Sequence, residues 1–468
     1  MTRPPPAGSI EDLPGEVSTD AWTGTEAAHG ELDTHADRWG ARPGLPPSQQ
    51  PLALGLPPNV TDWCDPDVGY GVLLPESDHP AADKAAGLDA SQPVQDLLAA
   101  RPNTVMLRWD PTLSPGLVRR YFPDGRTQPP DLLSGYGVAK GRLPRYILII
   151  GGPEQVPWSV QYALGTRRAV GRLPLSGEAL GNYIAAMLSG WADANVDVRA
   201  PLMWTVDLPG DITAEMRAVI ANPLAARLTD PKLPRFQHLT DGHATSAELL
   251  AALTAARPAL VITSSHGLTE GNGAQLASAL GLPVDAAHAP VGLDALDAAM
   301  PPGAIWHAQA CCSAGSEGPS KYTGLLGQGT TALAVVTAVA ALGSTIAPAV
   351  TRLLGREWPV RGILGHVEPT FDWTLRVAAT GQGLGSDLVT ALSTNLYAGQ
   401  PIGHAFSDYR AGVGELHTQW ATCYDQRARG DLTVRPRLTR LRLTAFDRQS
   451  LVLLGDPTVT LPPLDTAP

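Results

Sequence analysis

The chain has 468 residues, 44% of them hydrophobic and 17% charged, and a formal net charge of −11. That length and apolar content suffice for a folded protein of two or three domains, while the acidic balance and the lack of any Lys/Arg run argue against nucleic acid or an anionic membrane as the main partner. Four cysteines over such a length do not make a disulfide framework of the small secreted kind, and no CxxC or paired-His spacing suggests zinc or another metal.

Residues 1–82 are rich in Pro, Gly, Asp and Ser and hold no helix or strand period for long, so they are expected to form a flexible N-terminal extension. The start lacks an apolar leader of the secretory kind, which makes a cytoplasmic location the expectation. Residues 83–195 are expected to form a smaller α/β subdomain, and 196–468 the main domain. Five short apolar runs, RYILIIGG (145–152), PLMWTVD (201–207), ALVITSSHG (259–267), GAIWHAQAC (303–311) and VRGILGHVE (360–368), read as strands buried on both faces. Between them lie amphipathic stretches such as TSAELLAALTAA (245–256), where Thr245 and Glu248 are spaced as a capping box. This alternation predicts a mainly parallel, layered α/β sheet. The longest apolar run, ALAVVTAVAALG (332–343), is too short to cross a bilayer and reads as a buried helix.

Parallel sheets place their chemistry just beyond the carboxyl ends of the strands. Two strand exits therefore belong together: SSHG delivers His266 and Gly267, and QACCSAGS delivers Cys311 and Cys312. A thiol and an imidazole at one sheet edge suit acyl transfer, with Cys311 as nucleophile and His266 as proton shuttle. Backbone N–H groups of Gly267 and Cys311 are candidates for holding the oxyanion, since glycine permits close backbone approach. Cys312, one residue on, is expected to point into the core. His307 reads as a core side chain. The run GLLGQGTT lacks the lysine of a phosphate loop, and no Gly-x-Ser-x-Gly elbow is present, so nucleotide-binding and serine-hydrolase readings fall away.

A strand ending in His-Gly, followed by one ending in Gln309-Ala310-Cys311 with the His at matching spacing, resembles the caspase-like (caspase-hemoglobinase) fold of cysteine peptidases, which includes caspases, legumains and gingipains. ACCSAGS is also similar to the Ala-Cys-x-Ser-Gly-Ser pattern of legumains. YILIIGGPEQVPW with AVGRLPLSG, and LVLLGDPTVTLP near the end, resemble segments of the gingipain-like bacterial branch, so the likeness spans about 144–463. It departs at Cys312, where caspases carry Arg, Gln or Gly, and at Gly152, which stands for an Asp. The resemblance implies a three-layer α/β fold with a mainly parallel central sheet and a cysteine endopeptidase (thiol protease) that acts on protein or peptide substrates without a cofactor. It also implies a zymogen-like latency relieved by processing or by an activating sensor or partner protein. By the same resemblance the loop GHVEPTFDW lines the pocket for the residue before the scissile bond, with His366, Glu368, Asp372 and Trp373 as candidates. An acid there would favour Arg or Lys, whereas a taste for Asp would need a buried Arg, for which Arg361 is nearest. The alternative is a catalytically silent caspase-like scaffold.

Overall fold

The computed structural model describes residues 13–40, 58–377 and 380–464. Its strands in chain order are β1 (Glu16–Trp22), β2 (Ala27–Glu31), β3 (Tyr70–Pro75), β4 (Val105–Trp109), β5 (Arg119–Tyr121), β6 (Thr127–Gln128), β7 (Tyr146–Ile150), β8 (Ala169–Leu173), β9 (Leu202–Thr205), β10 (Gln237–Thr240), β11 (Leu260–Ser264), β12 (Gly267–Leu268), β13 (Ile305–Gln309), β14 (Gly315–Ser316), β15 (Thr345–Ile346), β16 (Gly362–His366) and β17 (Leu451–Gly455). Twelve of them form one sheet in the order β10-β9-β11-β13-β16-β17-β8-β7-β3-β4-β5-β6. Pairing is parallel except at β16/β17, β4/β5 and β5/β6. The molecule is thus α/β with a large, mostly parallel central sheet and helices, compatible with a three-layer arrangement.

The five apolar runs become β7, β9, β11, β13 and β16, and every residue of each is buried. Unbroken apolar side chains are what a strand covered on both faces requires. Helix Ser246–Ala256 starts at Thr245, whose hydroxyl accepts from the Glu248 amide at 3.3 Å. Only half of the capping box forms, because the Glu248 carboxylate turns to His243 Nδ1 at 2.9 Å instead. The apolar run 332–343 is indeed a helix, Thr331–Ala341, but it is buried on one face only, through Ala332, Val335, Val336 and Val339.

The expected boundary near residue 195 falls within a single sheet. Its two halves are sewn together by β17, which lies antiparallel to β16 and parallel to β8. At this seam Gly171 stands so close to Gly455 that an added Cβ would overlap the Gly455 carbonyl oxygen. Buried polar groups complete it: Gln161 Nε2 donates to Leu453 O at 3.0 Å, and Arg172 Nε donates to Gln161 Oε1 at 2.8 Å. Burial lowers the Arg172 pKa to about 9.

The flexible extension expected over residues 1–82 is corrected where the chain is described. Residues 1–12 and 41–57 lie outside the described residues, but β1 and β2 form an antiparallel hairpin, helix Ala36–Gly40 buries Trp39, and β3 is an inner strand of the main sheet. The hairpin escapes a pattern search because its buried positions are not all apolar. Thr19 and Asp20 are both 0% exposed; Thr19 Oγ1 donates to Ala28 O at 3.1 Å and Asp20 Oδ1 accepts from the Thr370 amide at 2.9 Å.

Candidate active site

β11 and β13 pair in parallel from Leu260↔Ile305 to Ser264↔Gln309. The same 45-residue offset (309 − 264, 311 − 266) relates His266 to Cys311, so both leave the sheet at one level of the same edge. The two exits also meet at the backbone: a Cβ on Gly267 would overlap the Cys311 carbonyl oxygen. Only glycine allows that approach.

After β13 the chain turns sharply. Ser313 Oγ donates to the carbonyls of Ala308 and Ala310, both at 2.8 Å, and the Ala314 amide donates to His366 O at 2.8 Å. Cys312 sits at φ +54°, the left-handed region that a residue with a Cβ seldom enters. Both thiols are buried, in an apolar cluster with Ala21, Ala28, Leu276, Leu280, Val335 and Val339. Cys311 Sγ donates to Gly267 O at 3.2 Å. Burial, then the Cys312 thiol and the Asp20 carboxyl, push the Cys311 thiol well above its usual range. All four cysteines are free, and only Cys64 is exposed.

His266 is buried, and its Nε2 meets Asp211 Oδ2 at 2.8 Å. Its Nδ1 is buried without a hydrogen bond. With Nε2–H donated to the carboxylate, the lone pair stays on Nδ1, the tautomer a general base needs. His266 and Cys311 do not bond to each other in this conformation.

Asp211 was not picked out from the sequence. It caps helix Ile212–Met216, its Oδ1 accepting from the Thr213 amide at 2.7 Å. Burial alone would raise its pKa, but the bonds from His266 and Thr213 outweigh this and hold the carboxyl below its usual value. The available signal was the Asp-x-Thr spacing of a helix cap just beyond β9, a strand leaving the sheet at the same edge.

The four pocket candidates scatter. His366 ends β16 and, with Gln309, Thr370, Thr374 and Asp447, lines a cavity of about 50 Å³. Its Nδ1 lies 3.2 Å from Ser450 Oγ. Burial, then His307 and Arg410, lower its pKa to about 3. Glu368, Asp372 and Trp373 do not line that cavity. Burial raises Glu368 to about 8, while Asp372 accepts from the amides of Ser18 (3.3 Å) and Trp373 (2.7 Å). Trp373 packs beside the Trp39 cluster. The acid in the cavity is Asp447, whose Oδ2 accepts from Thr374 Oγ1 and whose Oδ1 is buried without a bond. Arg361 precedes β16 at the opposite end, donating to Gly303 O at 2.9 Å, and so is remote from this edge. Among the described residues no group of three or more His, Cys, Asp or Glu is arranged to hold a metal ion, and no helix is long and apolar enough to cross a membrane.

No family model, curated protein or solved structure matches the chain.

Proposed function

We propose that this chain is a cysteine endopeptidase of the caspase-like, gingipain-like kind, with Cys311 as nucleophile, His266 as proton shuttle and Asp211 holding His266 in its tautomer. The supporting observation is the in-register exit of His266 and Cys311 from β11 and β13, together with the bond from His266 to Asp211. In this reading the Cys311 thiol leaves Gly267 O, gives its proton to His266 Nδ1 and adds to a peptide carbonyl. The amides of Gly267 and Cys311 stabilise the oxyanion. His266 Nδ1 carries a proton to the departing amine, and water then hydrolyses the thioester. The cavity acid Asp447 favours Arg or Lys before the scissile bond. A protein or peptide substrate, and latency until a sensor or partner acts, belong to the same reading.

Cleavage of a diverse peptide mixture, read by mass spectrometry, tests it. Wild type and Cys312→Ala are expected to cut after one residue type, and Cys311→Ala to be silent. Cleavage by Cys311→Ala would sink the assignment. The second reading, a catalytically silent scaffold, draws on the complete burial of Cys311 and its bond to Gly267 O rather than to His266. A chain that ignores every peptide, even with Cys311 freely alkylated, would favour it.

A further inference from the structure

β1 lies across the site. On one side it pairs in parallel with β12, Ala21↔Gly267 and Trp22↔Leu268, the segment that directly follows His266. Further back along that same edge Thr19 bridges antiparallel to Phe371, and the Asp20 amide faces Thr370 O at 3.4 Å; the opposite edge of β1 carries β2. Further bonds reinforce both contacts. Thr269 donates to Trp22 O through its amide and its hydroxyl, each at 3.0 Å, and the Thr370 amide donates to Asp20 Oδ1 at 2.9 Å. Ala21 and Ala28 of the hairpin cover Cys311 and Cys312.

Gly267–Thr269 and Thr370–Asp372 thus form one continuous backbone edge, to which an extended polypeptide adds as a strand. The present occupant fits imperfectly. Asp20 is wholly buried, its Oδ2 has no hydrogen bond, and burial, opposed by the Thr370 bonds and reinforced by Asp447, raises its pKa well above the usual range. A desolvated, half-satisfied carboxyl weakens the hold of the strand that carries it.

Resting on the peptidase reading, we propose that β1 is a displaceable stand-in for substrate: it occupies from within the chain the edge formed by Gly267–Leu268 and Thr370–Asp372, along which an extended polypeptide substrate lies, and Cys311 is reached only when β1 leaves. The substrate class is therefore an unfolded or loop segment able to run as a strand, with a small side chain where Ala21 now faces the thiols.

The test is alkylation of the full-length chain by iodoacetamide, mapped by mass spectrometry. Exposed Cys64 reports reagent activity and buried Cys423 reports global folding. In wild type Cys64 is expected to react and Cys311 to stay protected. Asp20→Pro removes both the amide that faces Thr370 and the carboxylate that Thr370 binds. Ala21→Arg forces a long cation into the apolar cluster. In either variant Cys311 is expected to react about tenfold faster or more while Cys423 stays protected, and the synthetic peptide EVSTDAW in excess is expected to slow that reaction. If Cys311 of wild type reacts as fast as Cys64, or stays protected in both folded variants, the proposal is overturned. Peptide cleavage separates this proposal from the reading beneath it. Variants that label at Cys311 but cut nothing keep the strand displacement and discard the peptidase; wild type that cuts as fast as the variants keeps the peptidase and discards the displacement.

Discussion

Asp211 illustrates how much one carboxylate can decide. Without it, no other hydrogen bond to His266 selects Nε2–H over Nδ1–H, and the wrong tautomer offers a donor where the proposed peptidase reaction needs an acceptor. Asp211→Asn is expected to lower kcat/KM by about 10²–10⁴-fold while leaving KM nearly unchanged. Asp211→Glu should recover part of the loss and restore the shape of the pH–rate profile, which a purely structural defect would not do. An Asn variant with wild-type kcat would remove Asp211 from the mechanism. The Cys-His spacing was legible in the sequence because both residues end apolar runs. Asp211 was not, since it stands 55 residues before His266 in a Pro-Gly-Asp turn and serves a helix as its cap. Asp447 was hidden for a related reason. It belongs to helix Arg435–Ser450, far along the chain from the loop expected to carry the pocket acid.

At the scale of elements, the strand pair β8/β17 leaves no room for a side chain, because backbone meets backbone where Gly171 passes Gly455. Gly171→Ala would force the two strands apart and is expected to cost about 2–4 kcal/mol, seen as a fall in the denaturation midpoint. Gly135→Ala, where nothing stands within 4 Å of the added carbon and φ is likewise outside the left-handed region, is the control for glycine replacement itself, and a Gly171→Ala midpoint no lower than its own would contradict the reading of the seam. Five strands of this sheet announced themselves by unbroken apolar runs, as in YILII, whereas β3, equally apolar, was lost in the Pro- and Gly-rich composition around it. β1 did not, because the residues it buries include Thr19 and Asp20, whose partners, Ala28 and Thr370, lie in other segments. Composition described the start of the chain as loop-like; pairing with the site makes it a strand.

For the molecule as a whole, buried histidines tie stability to pH. His307 is wholly buried with neither ring nitrogen bonded, and burial lowers its pKa to about 4. His366, on the neighbouring strand, is lowered to about 3. In the unfolded chain each takes a proton near pH 6.5. Their stabilising contribution is therefore complete above about pH 6.5 and is lost as pH falls toward 4, since the unfolded state binds the protons first. Thermal melts should show His307→Leu losing about 2 kcal/mol less than wild type between pH 7 and pH 5. Parallel loss in both proteins would mean that His307 does not carry this dependence.

The strand that joins the two halves of the sheet is also the last strand in the described chain. A ribosome making this protein has released β16, the thiol turn and the His266 exit well before β17 is available to lie between β16 and β8. Until then each half presents an unpaired inner edge, and the loop after β16 that borders β1 lacks the neighbour that fixes it. The interval between synthesis and a competent site is thus written into the order of the strands, and a chain released before Leu451–Gly455 would carry every residue of the site without the sheet that aligns them.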